Sequence, residues 1–370
     1  MSTVTIIGGG IAGLTTATAL HRQGHSVTVH ERAAHFAGLG TGVHITPNAT
    51  RVLHRLGLTD AFKEFGVPLH HISLHRFDDD TTLARMDLSA HTEAPYYTIH
   101  REDLHQALLA TLPSACVRMA SECTATKEDA DGVTAYFADQ TRTRCDYLVA
   151  ADGIHSRIRD IFQPQTPLTY TGMAVCRGIT DTPAPPSSQL WLGPGQHAVS
   201  YPVRGGRQTY LGTVIALPAP PHPTTAAPVL ARELQQHYTG WSPTVRQLID
   251  ACDTFTCWPL YDAPPPPSFT SRRTALAGDA AHSMLPFMAQ GANQAIEDAA
   301  ALANHLTGST RPLAAYEASR RPRTQRIHQL SRTNSHLFHL PDGPEQQQRD
   351  QHLSHTWTTD NLAWLYDHEI

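Results

Sequence analysis

Gly8, Gly10 and Gly13 form a G-x-G-x-x-G motif between a β-branched run, Val4-Thr5-Ile6-Ile7, and a helix-forming stretch from Leu14 to Gln23. The first glycine permits a tight turn, the second lets a pyrophosphate approach the backbone, and the third lets helix and strand pack, with Ala12 inside the loop. Gly24 stops the helix, and Ser26-Val27-Thr28-Val29 reads as a second strand leading to Glu31, 18 residues beyond Gly13. A carboxylate there can accept hydrogen bonds from ribose hydroxyls. Strand, helix, strand and acid in register predict a dinucleotide-binding crossover in a parallel sheet. Arg32 is placed either over an adenine ring or as an ordinary exposed arginine.

At 370 residues the chain exceeds the ~250–300 at which one core stops growing, so two domains are expected. Cys145 to Ala150 and Thr274 to Ala277 read as further strands of the first domain, each running into Gly and Asp. Residues 171–263 hold alternating stretches such as Gln208 to Ile215 between Pro- and Gly-rich turns, which predicts an inserted antiparallel sheet. Pro264 to Pro267 mark the return to the first domain, and Gln294 to Leu306 and 313–340 read as helical.

A net charge of −5 without a long basic run argues against a nucleic-acid partner. No stretch approaches the ~18 apolar residues of a membrane span, and the N-terminus enters a strand by Val4 without a leader-like segment. Six cysteines with no C-x-x-C pair indicate neither a zinc site nor a disulfide framework, and they fit a reducing cytoplasm. The 24 histidines show no ligand spacing, so no metal is expected.

Two further motifs narrow the dinucleotide. Ala151-Asp152-Gly153-Ile154-His155-Ser156-Arg157 follows one strand, and Gly278-Asp279-Ala280-Ala281-His282 follows another, continuing through Pro286 to Gly291-Ala292-Asn293 at a helix start. In this order and spacing the three motifs resemble the class A flavoprotein monooxygenases of the para-hydroxybenzoate hydroxylase fold, over nearly the whole chain. The resemblance implies an α/β fold: a Rossmann-like FAD-binding domain (1–72, 97–170 and 268–332), an inserted antiparallel β-sheet substrate domain (73–96 and 171–267) and a C-terminal helical tail (333–370). It implies FAD as cofactor and NADH or NADPH as co-substrate. Asp152 with Gly153 would serve FAD and the nicotinamide, Asp279 the flavin ribitol, and Pro286 the wall beside the ring. The backbone at Gly291, Ala292 and Asn293 would donate to flavin O2, which becomes electron-rich on reduction. Arg101 matches an arginine beside FAD phosphate and ribitol, a plain surface ion pair being the alternative. Cys123 matches a position whose backbone reaches the adenine.

Gly38 to Asn48 should lie against the isoalloxazine, with Gly42 and Val43 among the cofactor-binding residues. Within the family this loop and the Gln290-Gly291-Ala292 region are most similar to 6-hydroxynicotinate 3-monooxygenase and the salicylate hydroxylases. On that resemblance His44 is an active-site base, whose ordinary pKa of about 6.5 would let it change charge near neutrality, or else a structural histidine. His197 and Tyr201 match substrate-pocket residues and join His44 in the expected catalytic set, His44 and Tyr201 stabilising the anionic substrate, with ordinary sheet packing as the alternative, and Trp191 matches a pocket aromatic. Phe287 replaces a histidine and Ser188 a cysteine, so the substrate is expected to differ. Arg177 and Arg204 are left outside the catalytic set.

The expected activity is hydroxylation of a small electron-rich ring of the phenol, salicylate or hydroxypyridine type, through a flavin C4a-hydroperoxide, by a cytoplasmic monomer or homodimer. The rival readings are epoxidation, Baeyer–Villiger insertion, tailoring of a larger natural product, or a flavoprotein without oxygen transfer.

Overall fold

The computed structural model describes residues 1–36, 41–162, 167–220 and 227–370; Gly38, Leu39 and Gly40 of the glycine-rich loop lie outside them. Thr3–Ile7 is strand because its β-branched residues suit an extended backbone buried on both faces. It pairs in parallel with Ser26–His30 on one side and Tyr147–Ala150 on the other. Val117–Arg118 and Thr274–Leu276 complete a five-stranded parallel sheet. The three motifs all follow the C-terminal ends of its strands, where an open α/β sheet binds its ligands. The helices Ile11–Arg22 and Gly291–Gly308 pack on one another beside it.

A second, eight-stranded sheet is built from the hairpin His71–Arg76 and Thr82–Asp87 and from strands between Thr169 and Asp262. Its pairs are antiparallel apart from Ser187–Gly193 against His71–Arg76, which run parallel. That departs from the antiparallel expectation. The chain visits this sheet twice, so no short turn dictates the direction in which the two visits meet.

One face of the large sheet is covered by the helices Ala231–His237 and Pro243–Asp250, over a core containing Tyr238, Trp241, Val245 and Phe255. The other face looks towards the parallel domain. Helix Pro312–Phe338 runs unbroken across 332/333. The helices Pro344–Thr356 and Thr359–Tyr366 follow it and fold back, so that Phe338, Trp357, Leu362 and Tyr366 wall the space between the domains.

Cys176 and Cys257 face each other on neighbouring strands and are joined as a disulfide. This corrects the sequence expectation: 81 residues separate them, and only strand register makes them neighbours. The other four cysteines are free. Among the described residues no helix is long and apolar enough to cross a membrane.

Candidate active site

A cavity of about 410 Å³ lies between the two sheets. At its cofactor end, Gly8 has φ +105°, and a β-carbon there would stand 2.3 Å from the carbonyl oxygen of Ala151. A β-carbon on Gly13 would stand 1.9 Å from the Gly8 carbonyl, so the strand and helix can approach only without side chains. Nothing lies within 4 Å of a β-carbon on Gly10, which faces the open cavity. The loop is pinned from both sides. The Glu31 carboxylate accepts from the N–H groups of Gly9 (2.8 Å) and Ala33 (2.9 Å), and His105 Nε2 donates to the Gly9 carbonyl (2.7 Å).

Gly10, Ala12, Gly42, Val43, Arg101, Gly153, Asp279, Pro286, Gly291 and Ala292 all line the cavity. Gly8, Gly13, Glu31 and Asn293 sit behind that wall. The Asn293 side chain is a brace: it donates to the carbonyls of His44 and Ala289 and accepts from Thr46 N–H. Asp152 also lies behind the wall, its Oδ2 accepting from Arg157 N–H (3.0 Å) while Oδ1 is buried without a partner; burial raises its pKa. Cys123 is buried off the cavity, its thiol pushed up to about 11 by burial. Arg32 is exposed and off the wall. The Arg101 guanidinium is enclosed; burial and then Arg177 weaken its hold on its proton, and Asp279 opposes them.

This set fits FAD. The starts of Ile11–Arg22 and Gly291–Gly308 both open into the cavity, and the first N–H groups of a helix have no intrahelical acceptor. One start, with the Arg101 cation, suits a pyrophosphate; the other suits an electron-rich ring carbonyl. Asp279 is an exposed acceptor for sugar hydroxyls between them.

The substrate end is walled by the large sheet. Strand register puts His197, Val199 and Tyr201 on one face of Gln196–Val203, with Leu190, Gly212, Val214, Val175 and Arg177 beside them. Trp191 pairs with Ala198 and therefore points the other way. Its indole stacks on His75 and donates to Asp80 Oδ1 at 2.7 Å. The expectation of Trp191 as a pocket aromatic is corrected, because a strand's side chains alternate and Ser188, Leu190 and Leu192, not Trp191, have the cavity-side parity.

His44 is buried, its Nδ1 3.0 Å from the Tyr96 hydroxyl and its ring edge-on to Tyr201 at 4.2 Å between centroids. Its Nε2 is buried without a partner. Burial pushes its pKa to about 3, so the expectation of a charge change near neutrality does not hold: this imidazole stays neutral. Tyr201 stacks on Tyr210 (4.6 Å between centroids), and burial keeps both phenols protonated. His197 packs edge-on to Phe287 and Phe338.

Arg177 is the functional candidate that sequence reasoning left aside. Its side chain is on the cavity wall near Tyr210, whose phenol pKa it pulls down against burial. The available signal was two-residue spacing from Val175, but nothing local shows which face of a strand meets a cavity. Arg204 turns away, at φ +52°, to pair with Glu102 (2.8 Å) and Asp103 (3.0 Å).

Comparison with known proteins gives the family. Residues 1–331 match the family described as FAD binding domain. The chain belongs to that family. It is an FAD-dependent monooxygenase of the class A type, with reduced nicotinamide as the typical co-substrate. It is 40% identical to 3-amino-4-hydroxybenzoate 2-monooxygenase PtnB3 of Streptomyces platensis, over 99% of this chain and 96% of that protein. It is 32% identical to 6-hydroxynicotinate 3-monooxygenase of Bordetella bronchiseptica, over 90% of this chain and 91% of that one. Among solved structures it resembles Klebsiella pneumoniae HpxO complexed with FAD and uric acid. That match has a TM-score of 0.86 and 28% identity, covering 95% of this chain and 92% of that one. These relatives support the monooxygenase's fold and cofactor together.

Proposed function

We propose that this monooxygenase hydroxylates a small benzoate carrying a phenol and a neighbouring amine, a substrate of the 3-amino-4-hydroxybenzoate type. The observation that carries the reading is Arg177, whose guanidinium lines the substrate end of the cavity among aromatic, aliphatic and neutral imidazole side chains, while the charged Arg101 and Asp279 line the cofactor end. A planar guanidinium in low dielectric selects a carboxylate. The end-to-end similarity to the Streptomyces platensis aminohydroxybenzoate enzyme supports the same class.

Each group has a task in this reading. Arg177 holds the carboxylate. Gly212 keeps the sheet floor flat, since a β-carbon there would meet the Tyr210 hydroxyl at 2.7 Å. Tyr201, held protonated by burial, offers an O–H to a phenolate oxygen, and neutral His44, whose Nε2 has no partner in the protein, offers that oxygen a hydrogen-bonding neighbour without taking its proton. Phe287, Phe338, Trp357 and Tyr366 exclude water. The chemistry supplied by bound FAD is acceptance of hydride from NADH or NADPH and activation of dioxygen.

The test is turnover under labelled dioxygen, with each nicotinamide, across 3-amino-4-hydroxybenzoate, 4-hydroxybenzoate, salicylate and 6-hydroxynicotinate. One labelled oxygen in the aminohydroxybenzoate product, at the highest kcat/KM of the panel, is expected. Peroxide alone from that compound, with oxygen entering another member, overturns the substrate assignment.

A further inference from the structure

His339 caps the C-terminal end of helix Pro312–Phe338 and reaches the cavity-lining His197 from outside the sheet. His197 Nδ1 lies 2.8 Å from His339 Nε2, and His339 Nδ1 lies 2.6 Å from the carbonyl oxygen of Ser335, one turn earlier. A carbonyl can only accept, so the hydrogen of that second bond is on His339 Nδ1. Burial lowers the pKa of both rings, His339 to about 4, and each neutral imidazole carries a single N–H. His339 Nε2 is therefore bare and accepts, His197 Nδ1 donates to it, and His197 Nε2 is left with a free lone pair. No hydrogen bond from the described residues takes that nitrogen, and the phenyl rings packed on this imidazole, Phe287 and Phe338, offer none.

We infer that His339 is a positioning residue: it fixes the Nδ1–H tautomer of His197, so that His197 presents Nε2 to the cavity as an acceptor for a hydroxyl or amino hydrogen of the substrate. The pair is rigidly seated. The His339 carbonyl accepts from Gly195 N–H (3.0 Å), tying the helix end to the turn before His197, and the His197 carbonyl accepts from the buried Tyr238 hydroxyl (3.0 Å). Phe287 lies edge-on to both imidazoles, at 5.4 and 5.3 Å between centroids, and leaves them no other polar neighbour on that side. Register sets His197 two strands across and one pleat along from Arg177, roughly 12 Å between backbones. An anion-holding cation and a hydrogen-accepting nitrogen thus bracket a single ring, which deepens the benzoate reading above and rests on it for the substrate's identity.

Two measurements test this. The first needs no substrate: long-range proton–nitrogen correlation spectra of the FAD-loaded, nitrogen-labelled protein at pH 7, with both rings assigned by difference from His197→Gln and His339→Gln. Both imidazoles are expected to be neutral and protonated on Nδ1; a hydrogen on His197 Nε2, or a cationic ring, overturns the inference. The second measures binding through the flavin spectrum, comparing 3-amino-4-hydroxybenzoate with analogues lacking the amine or the hydroxyl. In the wild type each deletion should weaken binding about tenfold. In His339→Leu one of the two penalties should vanish, and in His339→Gln, whose amide oxygen can still accept, it should return. Unchanged penalties in His339→Leu overturn the proposal. If none of these compounds perturbs the wild-type flavin, the benzoate reading fails while the tautomer measurement still decides the role of His339; it also decides if His339→Leu does not fold.

Discussion

The ring of Tyr201 lies so close over Gly42 that a β-carbon on the glycine would stand 2.5 Å from Cε2 and 2.9 Å from the hydroxyl oxygen. Tyr210 stacks on the same ring, so Tyr201 cannot retreat without breaking that contact. The glycine of the flavin-side strand and the tyrosine of the substrate sheet thus set one another's position. Gly42→Ala should displace the phenol, lowering kcat/KM for hydroxylation at least tenfold while FAD remains bound. Steady-state kinetics beside flavin content checks this, and wild-type turnover would show that the Tyr201 position does not matter.

Arg177→Gln removes the cation at the substrate end of the cavity without touching the FAD loop. KM for the benzoate should rise about 10- to 100-fold, as expected for a charged hydrogen-bonded pair worth about 1.5–3 kcal/mol. Turnover of 2-aminophenol, which has no carboxylate, should change less than threefold. Equal losses for both compounds would remove Arg177 from substrate recognition.

Asp279→Ala should weaken FAD retention by a similar 10- to 100-fold, through loss of a charged acceptor for ribitol hydroxyls. Equilibrium flavin titration of the apoprotein reads this directly. Unchanged affinity would mean that the Asp279 carboxylate does not bind the cofactor.

Asp298 lies beneath the same turn, accepting from Gly278 N–H (2.8 Å), His282 Nε2 (2.6 Å) and Arg320 Nε (2.8 Å), with the three side chains buried. Burial alone would raise its pKa, but His282 and Arg320 hold the carboxyl down at about 2. Asp298→Ala leaves the Arg320 charge uncompensated on this side and should cost about 3–5 kcal/mol of stability. Denaturant unfolding should show that loss, and flavin retention should fall with it as Gly278 loosens.

Acid should destabilise the protein well above the carboxylate range. Burial lowers His44 to about 3 and His30, His100 and His339 to about 4, whereas the unfolded chain binds protons at these sites near 6.5. Between those values the unfolded state holds more protons, so stability rises with pH through this window and is lost as pH falls from about 6.5 towards 4. Thermal midpoints across that range should drop steeply, and His30→Gln should flatten the slope. A wild-type midpoint that does not change between pH 6.5 and 4 would contradict the burial of these imidazoles.

Much of the cofactor end was legible in the chain itself. Gly8, Gly10, Glu31, Asp152 and Asp279 follow strand ends and Gly13 lies in the first turn of the helix after one, and their spacing is set by one strand, one turn and the start of one helix, all local quantities. The substrate end obeyed a different rule. Whether Trp191 or Leu190, Cys176 or Arg177, meets the cavity depends on which face of a strand the other domain covers, and a two-residue period reads identically from either face. The low pKa of His44 and the tautomer of His197 were further out of reach, because the first comes from burial by the assembled fold and the second from His339, more than 140 positions away in sequence. Local spacing determined the dinucleotide site and the family; long-range register and burial decided which side chains face the substrate and which protons they carry.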